Sequence, residues 1–168
     1  MTSSNKTKPI TASVASGESS ALVIYNTACR APQRYVELAS ALSPEWWIGT
    51  TVDKQYRVKI AETAFGKIEH LPNIKWLSSE PLLERLQFTD LSSFDLVVIG
   101  AQTATRQPEG PMPAIAPRLD WVIDIIVQAR KDGCAVWCKE NLQGIPNSDS
   151  PGMILPQELP RRFVAKTG

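Results

Sequence analysis

Long apolar runs are missing from this chain: nowhere do about 18 hydrophobic residues follow one another, so no membrane-spanning helix is expected. An excess of one charge is missing as well. Eighteen Lys and Arg stand against 17 Asp and Glu, a formal net charge of +1, and the basic residues are scattered rather than banded, so nucleic acid is not indicated as a partner. Cysteine is scarce, with three residues, an odd number and no secretory signal, which argues for reduced thiols in the cytoplasm rather than a disulfide framework. The single histidine, His70 in "IEHLPN", has no second histidine to make a metal pair or a catalytic triad and reads as a surface residue. There is no G-x-G-x-x-G and no P-loop. The opening residues, "MTSSNKTKPITASVASGESS", lack the apolar core of a signal peptide and read as a flexible leader over 1–20.

What is present is the composition of one globular domain: 168 residues, 43% hydrophobic and 21% charged. Short apolar runs alternate with stretches of helical period, the pattern of parallel strands joined by crossover helices. Strands are expected at "ALVIYNT" (21–27), "WWIGTTV" (46–52), "NIKWLSSEP" (73–81), "FDLVVIGAQ" (94–102) and "CAVWCK" (134–139). One helix is expected after Pro32, with Tyr35, Leu38, Ala39 and Leu42 on one face. A second carries Val58, Ala61, Phe65 and Ile68 and is capped by Asp53. A third, over 118–131, turns Leu119, Val122, Ile123, Ile126 and Ala129 inward and ends at Gly133. "LLERL" reads as a short helical turn, and residues 103–117 as a long proline-rich loop, with "TRQPEGPMP" (105–113) either a lid or plain irregular packing. The proline-rich tail, 144–168, reads as an extended segment burying Ile154, Leu155, Leu159 and Phe163. The fold class is thus α/β, a partial (βα) barrel or an open parallel sheet of about five strands, since a closed eight-stranded barrel takes about 250 residues.

Ligands of parallel α/β sheets gather at the carboxyl ends of the strands, and those ends are unusually polar here. They hold Asn26 and Thr27; Thr50, Thr51 and Asp53; Ser78, Ser79 and Glu80; Gly100, Ala101 and Gln102; and Lys139 and Asn141. Singly, each is explained by a cap or a turn; together they have the chemical make-up of a small-molecule pocket. Because side chains alternate along a strand, Trp76, Ser78 and Glu80 share a face, as do Trp137 and Lys139. If Glu80 and Lys139 both point inward they are expected to pair, either to hold the amino and carboxylate groups of a ligand or simply to neutralise each other. The tryptophans of "WW", Trp46 and Trp47, offer a surface for stacking on bases, but a strand with one aromatic on each sheet face explains them more simply.

Cys134 and Cys138 lie four apart on a strand, on one face but about 13 Å apart, so no single metal is clasped by both. Cys29, in "NTACRAP", stands near the rim, where it is either a reactive thiol or a small loop residue.

The segments "APQRYVEL", "WWIGTTVDKQYRVKIAETAF", "IKWLSSEPLLERLQFTDLSSFDLVVIGAQTATRQPEGPMPA" and "DGCAVWCKENL" together resemble the carboxyl-terminal two-thirds of an uncharacterised, bacteriophage-associated family of radical-SAM-like barrels. The resemblance covers about residues 30 to 143, with "WLSSEPLLE" and "GCAVWCKENL" its most specific parts. It implies a full or partial (βα) barrel whose amino-terminal part carries a C-x3-C-x2-C loop for a [4Fe–4S] cluster, with S-adenosylmethionine over the strand ends. By motif it singles out Glu80, Gly100 to Gln102, Lys139 and Asn141. This sequence has no C-x3-C-x2-C loop, and position 141 is Asn141 rather than a thiolate. No cofactor is therefore expected for this chain alone; S-adenosylmethionine and the cluster enter only if that amino-terminal part is supplied.

Three readings follow. In the first, the chain is a truncated, degenerate or partner-dependent form that binds a small ligand at the strand ends, with a homo-oligomer or protein partner covering the edge strand 21–27. The alternatives are a cofactor-independent enzyme using Glu80 as base and Lys139 as stabiliser, and a non-catalytic protein-interaction module.

Overall fold

The structure, a computed structural model, describes residues 26–107, 110–143, 145 and 154–163. The leader, residues 21–25 of the first expected strand and much of the tail lie outside the described residues.

The elements follow in the order β1 (Asn26–Ala28), α1 (Gln33–Glu37), β2 (Trp47–Thr51), α2 (Gln55–Gly66), β3 (Lys75–Ser79), β4 (Leu96–Ile99), β5 (Thr105–Gln107), β6 (Gly110–Met112), α3 (Leu119–Lys131) and β7 (Ala135–Cys138). Five strands form one parallel sheet in the order β1-β2-β3-β4-β7, so spatial order follows chain order. Parallel crossovers are right-handed, and crossovers that all step the same way place their connections on the same face. The core confirms this. Ile48, Leu77, Val97, Ile99, Val136 and Cys138 cluster with Tyr35 of α1, Val58, Ala61 and Phe65 of α2, Leu82, Leu86 and Leu91 of the β3–β4 connection, and Val122, Ile125 and Ile126 of α3. Alternate residues Trp47, Gly49, Trp76, Ser78, Val98 and Trp137 point to the opposite face and stand outside that cluster. This singly wound open sheet has the strand order of a segment of a (βα) barrel, and the second face is what would be the barrel interior.

Both long helices form where apolar residues recur at three and four. Val58, Ala61 and Phe65 of α2 are buried, as are Val122, Ile126 and Ala129 of α3, and Gly133 takes the left-handed conformation (φ 81°) that ends α3. Ile125 is also buried, while Leu119 and Ile123 pack at the margin of the core.

Four local expectations are corrected. Asp53 does not cap α2: its cap position is Lys54, and the amide of Gln55 donates instead to the Glu84 carboxylate at 2.7 Å. "LLERL" is not helical. Five backbone donors between residues 82 and 91 go to other elements, Leu82 N–H to the Gly100 carbonyl (2.9 Å), Gln87 N–H to the Gln55 side chain (2.7 Å), Thr89 and Asp90 N–H to Glu62 (2.6 and 3.0 Å) and Leu91 N–H to Asp132 (2.8 Å). The loop after β4 contains the antiparallel hairpin β5–β6, tied at its base by the pairing of Gln102 with Ile115. In the tail only Leu155 of the four expected apolar residues is fully buried; Ile154 is 88% exposed and Leu159 47%. Phe163 is half-buried and meets the Trp47 ring edge-on, with centroids 5.3 Å apart.

Candidate functional site

The strand ends meet at Glu80 and Lys139. The last paired row of the sheet is Ser79, Ile99 and Cys138, so the next position on each strand brings Glu80, Gly100 and Lys139 side by side. The lysine reaches across the middle strand to the carboxylate, with Nζ 2.8 Å from Oε1 and 2.6 Å from Oε2. Gly100 makes the crossing available: a Cβ there would sit 2.8 Å from the Glu80 carboxylate. The pair is reachable from solvent, its side chains 27% and 44% exposed for Glu80 and Lys139.

Behind it, the Asn141 side chain clamps the backbone of Ala101. Its Oδ1 accepts the Ala101 N–H (3.2 Å) and its Nδ2 donates to the Ala101 carbonyl (3.0 Å). Asn141 therefore spends its amide on the β4 end and shapes the rim from behind. Gln102 has turned away to donate to the Pro113 carbonyl (2.8 Å) at the base of the hairpin.

The other expected rim residues separate by face. Thr50 is buried on the helix side and donates to the Cys29 carbonyl at 2.7 Å. Thr51 and Ser78 are neighbours on the opposite face, one half-buried and one buried, below the Glu80–Lys139 row. Ser79 faces the helices, and its hydroxyl has no partner among the described residues. Asp53 lies between two guanidinium groups, Arg57 at 3.0 Å and Arg30 at 3.9 Å; the Arg57 contact is close but too poorly angled to be a hydrogen bond. Asn26 and Thr27 do not reach the rim, because β1 pairs them with Trp47 and Ile48 at the amino end of β2; the rim end of β1 is Cys29, whose N–H donates to the Gly49 carbonyl.

Below the rim, Trp76 lies flat against Gly49, where any Cβ would overlap the indole. Its Nε1 is buried with no acceptor among the described residues. Trp137, half-buried, projects from the same face as Ser78 and Val98. Arg30, Arg57 and this Trp76–Gly49 contact were missed from sequence. Only Arg57, four residues after Asp53 and so one helical turn along, carried a readable signal.

The cysteines do not fit an iron–sulfur cluster. Cys134 and Cys138 are buried on the helix face of the sheet, and the Cys134 Sγ lies 2.9 and 3.0 Å from the carbonyl oxygens of Leu91 and Phe94. Burial pushes their thiols up to about 12 and about 11, where the thiolate needed to bind iron is scarce. Cys29 stands apart at the end of β1, its Sγ 3.3 Å from the Ala31 N–H and carbonyl. Among the described residues no three His, Cys, Asp or Glu side chains are grouped to hold a metal ion, and no helix is long and apolar enough to cross a membrane.

An open, singly wound parallel α/β sheet with a charged pair at its strand ends is the class of protein this defines. Residues 8–144 match the family described as "Protein of unknown function (DUF5131)", and the chain belongs to that family. No curated protein and no solved structure matches the chain.

Proposed function

We propose that the chain is the ligand-binding side of a radical-SAM-like barrel, holding a small zwitterionic molecule at the carboxyl ends of β3, β4 and β7, with any cluster chemistry supplied from outside these residues. The observation that carries the reading is the Glu80–Lys139 pair crossing Gly100 at a solvent-reachable rim. A carboxylate and an ammonium already in contact offer a ligand's amino and carboxylate groups one partner each, and binding then exchanges one ion pair for two. The tryptophans on the same face offer apolar, planar surface for the rest of such a ligand. S-adenosylmethionine has this make-up, an amino-acid head on a planar base, and the resemblance to radical-SAM-like barrels makes it the first probe. Glu80 and Lys139 would hold its head; radical chemistry would need an iron–sulfur cluster held by thiolates from outside these residues.

Calorimetric titration with S-adenosylmethionine tests the reading: saturable binding to the wild-type chain, weakened at least about tenfold in both Glu80→Gln and Lys139→Ala, is expected. Equal affinity in all three proteins, or no binding to any, would sink it. Anaerobic reconstitution with iron and sulfide should give no cluster absorbance with this chain alone.

A second reading, a cofactor-independent enzyme with Glu80 as base, draws on the same pair. It requires the Lys139 ammonium to leave the carboxylate when substrate arrives, and it predicts a pH-dependent turnover that binding alone does not.

A further inference from the structure

Past β7 the chain returns along the outer edge of that strand and pairs with it antiparallel, in a sheet whose other pairings are parallel. The Cys138 N–H donates to the Pro156 carbonyl (2.8 Å), the Glu158 N–H to the Val136 carbonyl (2.8 Å) and the Val136 N–H to the Glu158 carboxylate (3.1 Å). The Gln157 side chain donates to the Cys138 carbonyl at 3.0 Å.

This segment satisfies the edge but packs unevenly, with Leu155 and Pro160 buried between more exposed neighbours. Ile154 and Leu159 stand largely in water, and a cavity opens on either side. One, of about 560 Å³, lies between Ile154–Pro156 and α3; the other, of about 470 Å³, lies between Glu158–Arg161 and the start of β7. Arg130 lines both cavities and holds Glu158 at 3.0 Å in an ion pair whose side chains are 59% and 40% exposed. Exposed pairs of this kind are weak and screened by salt.

We propose that the outer edge of β7 is a docking surface for an extended polypeptide segment, filled in cis by residues 156–158 and taken by a partner strand that displaces them. The partner it fits is an extended chain whose carbonyl accepts the Cys138 N–H and which carries a carboxylate two residues later, for Arg130 and the Val136 N–H. Strand addition to an open edge draws its affinity from such main-chain bonds and its selectivity from the side chains between them.

Hydrogen exchange on the wild-type protein tests the displacement. The amides of Val136, Cys138 and Glu158, which bridge the strap and the edge, should exchange together and at least about tenfold faster than those of Ala135 and Lys139, which donate inward to Asp95 and Ile99. Added salt should widen the gap. One common rate for both groups would overturn the proposal. Docking is tested with a labelled synthetic peptide of residues 154–163 on the full-length Glu158→Gln protein, whose own strap has lost its charge. Saturable binding, weaker to wild type, is expected, and absence of binding to the variant would equally overturn the proposal.

Discussion

At Gly49 the missing side chain is what lets the Trp76 indole lie on the backbone of β2. Gly49→Ala forces that ring off its seat and should cost about 1–3 kcal/mol, as overpacked sites do, read by urea unfolding followed through tryptophan fluorescence. Gly100→Ala acts differently. It pushes on the Glu80 carboxylate, whose pair with Lys139 is solvent-reachable and worth at most about 1 kcal/mol, so it should weaken binding at the rim far more than it weakens the fold. The buried thiols of Cys134 and Cys138 give a third effect, in pH. Their folded values, about 12 and about 11, lie above the ordinary 9.0, chiefly because burial disfavours the thiolate, so the unfolded chain loses these protons first as pH rises. Their contribution is fully present below pH 9.0 and is lost on going up through about 11 and about 12, at no more than about 1.4 kcal/mol per pH unit for each thiol. Cys138→Ala should flatten the alkaline decline in urea-unfolding stability; an unchanged slope would show that this thiol is not desolvated in the folded protein.

The elements owe their positions to side chains reaching between connections. Glu84 fastens the β3–β4 connection to the start of α2, and its carboxyl is held below the usual range, first by the Gln55 N–H and then by Lys54. Its contribution is present at neutral pH and lost as pH falls through that lowered value, so Glu84→Gln should lower Tm at neutral pH and make the acid side of the melting profile shallower. Asn141→Ala leaves both backbone groups of Ala101 without their clamp, for about 1–3 kcal/mol of stability. These cross-element bonds also mark where sequence reading stopped. The long helices and the strands β2, β3, β4 and β7 were legible because their apolar residues recur at three and four or run together in short blocks. Residues 82–86 read as a helical turn from sequence, but the Leu82 N–H is taken by the Gly100 carbonyl at the β4 end, and the residues just beyond, Gln87, Thr89 and Asp90, donate to Gln55 and Glu62 of α2, partners far along the chain. Asp53 was misread as the cap because the true partner of the Gln55 amide, Glu84, lies in the next connection. The Glu80–Lys139 contact was legible only as a condition, since alternation fixes faces within each strand while the register of β3, β4 and β7 sets the common height and face. Its third member, Gly100, became meaningful only once register placed it between them.

Across the whole molecule, sequential strand order puts the helices and the β3–β4 connection on one face and leaves the other, with its tryptophans and the charged row above them, as the second face of an open sheet. That asymmetry is why the strand ends are the candidate site. A purely structural role for Glu80–Lys139 and a ligand-binding one diverge when the charges are exchanged, because Glu80→Lys with Lys139→Glu keeps an ion pair across Gly100 but reverses the polarity offered to a ligand. Calorimetric titration of that double variant with S-adenosylmethionine, beside its urea unfolding curve, is the most direct measurement. Near-wild-type stability with binding weakened at least about tenfold is predicted; wild-type affinity in the exchanged protein would contradict the account.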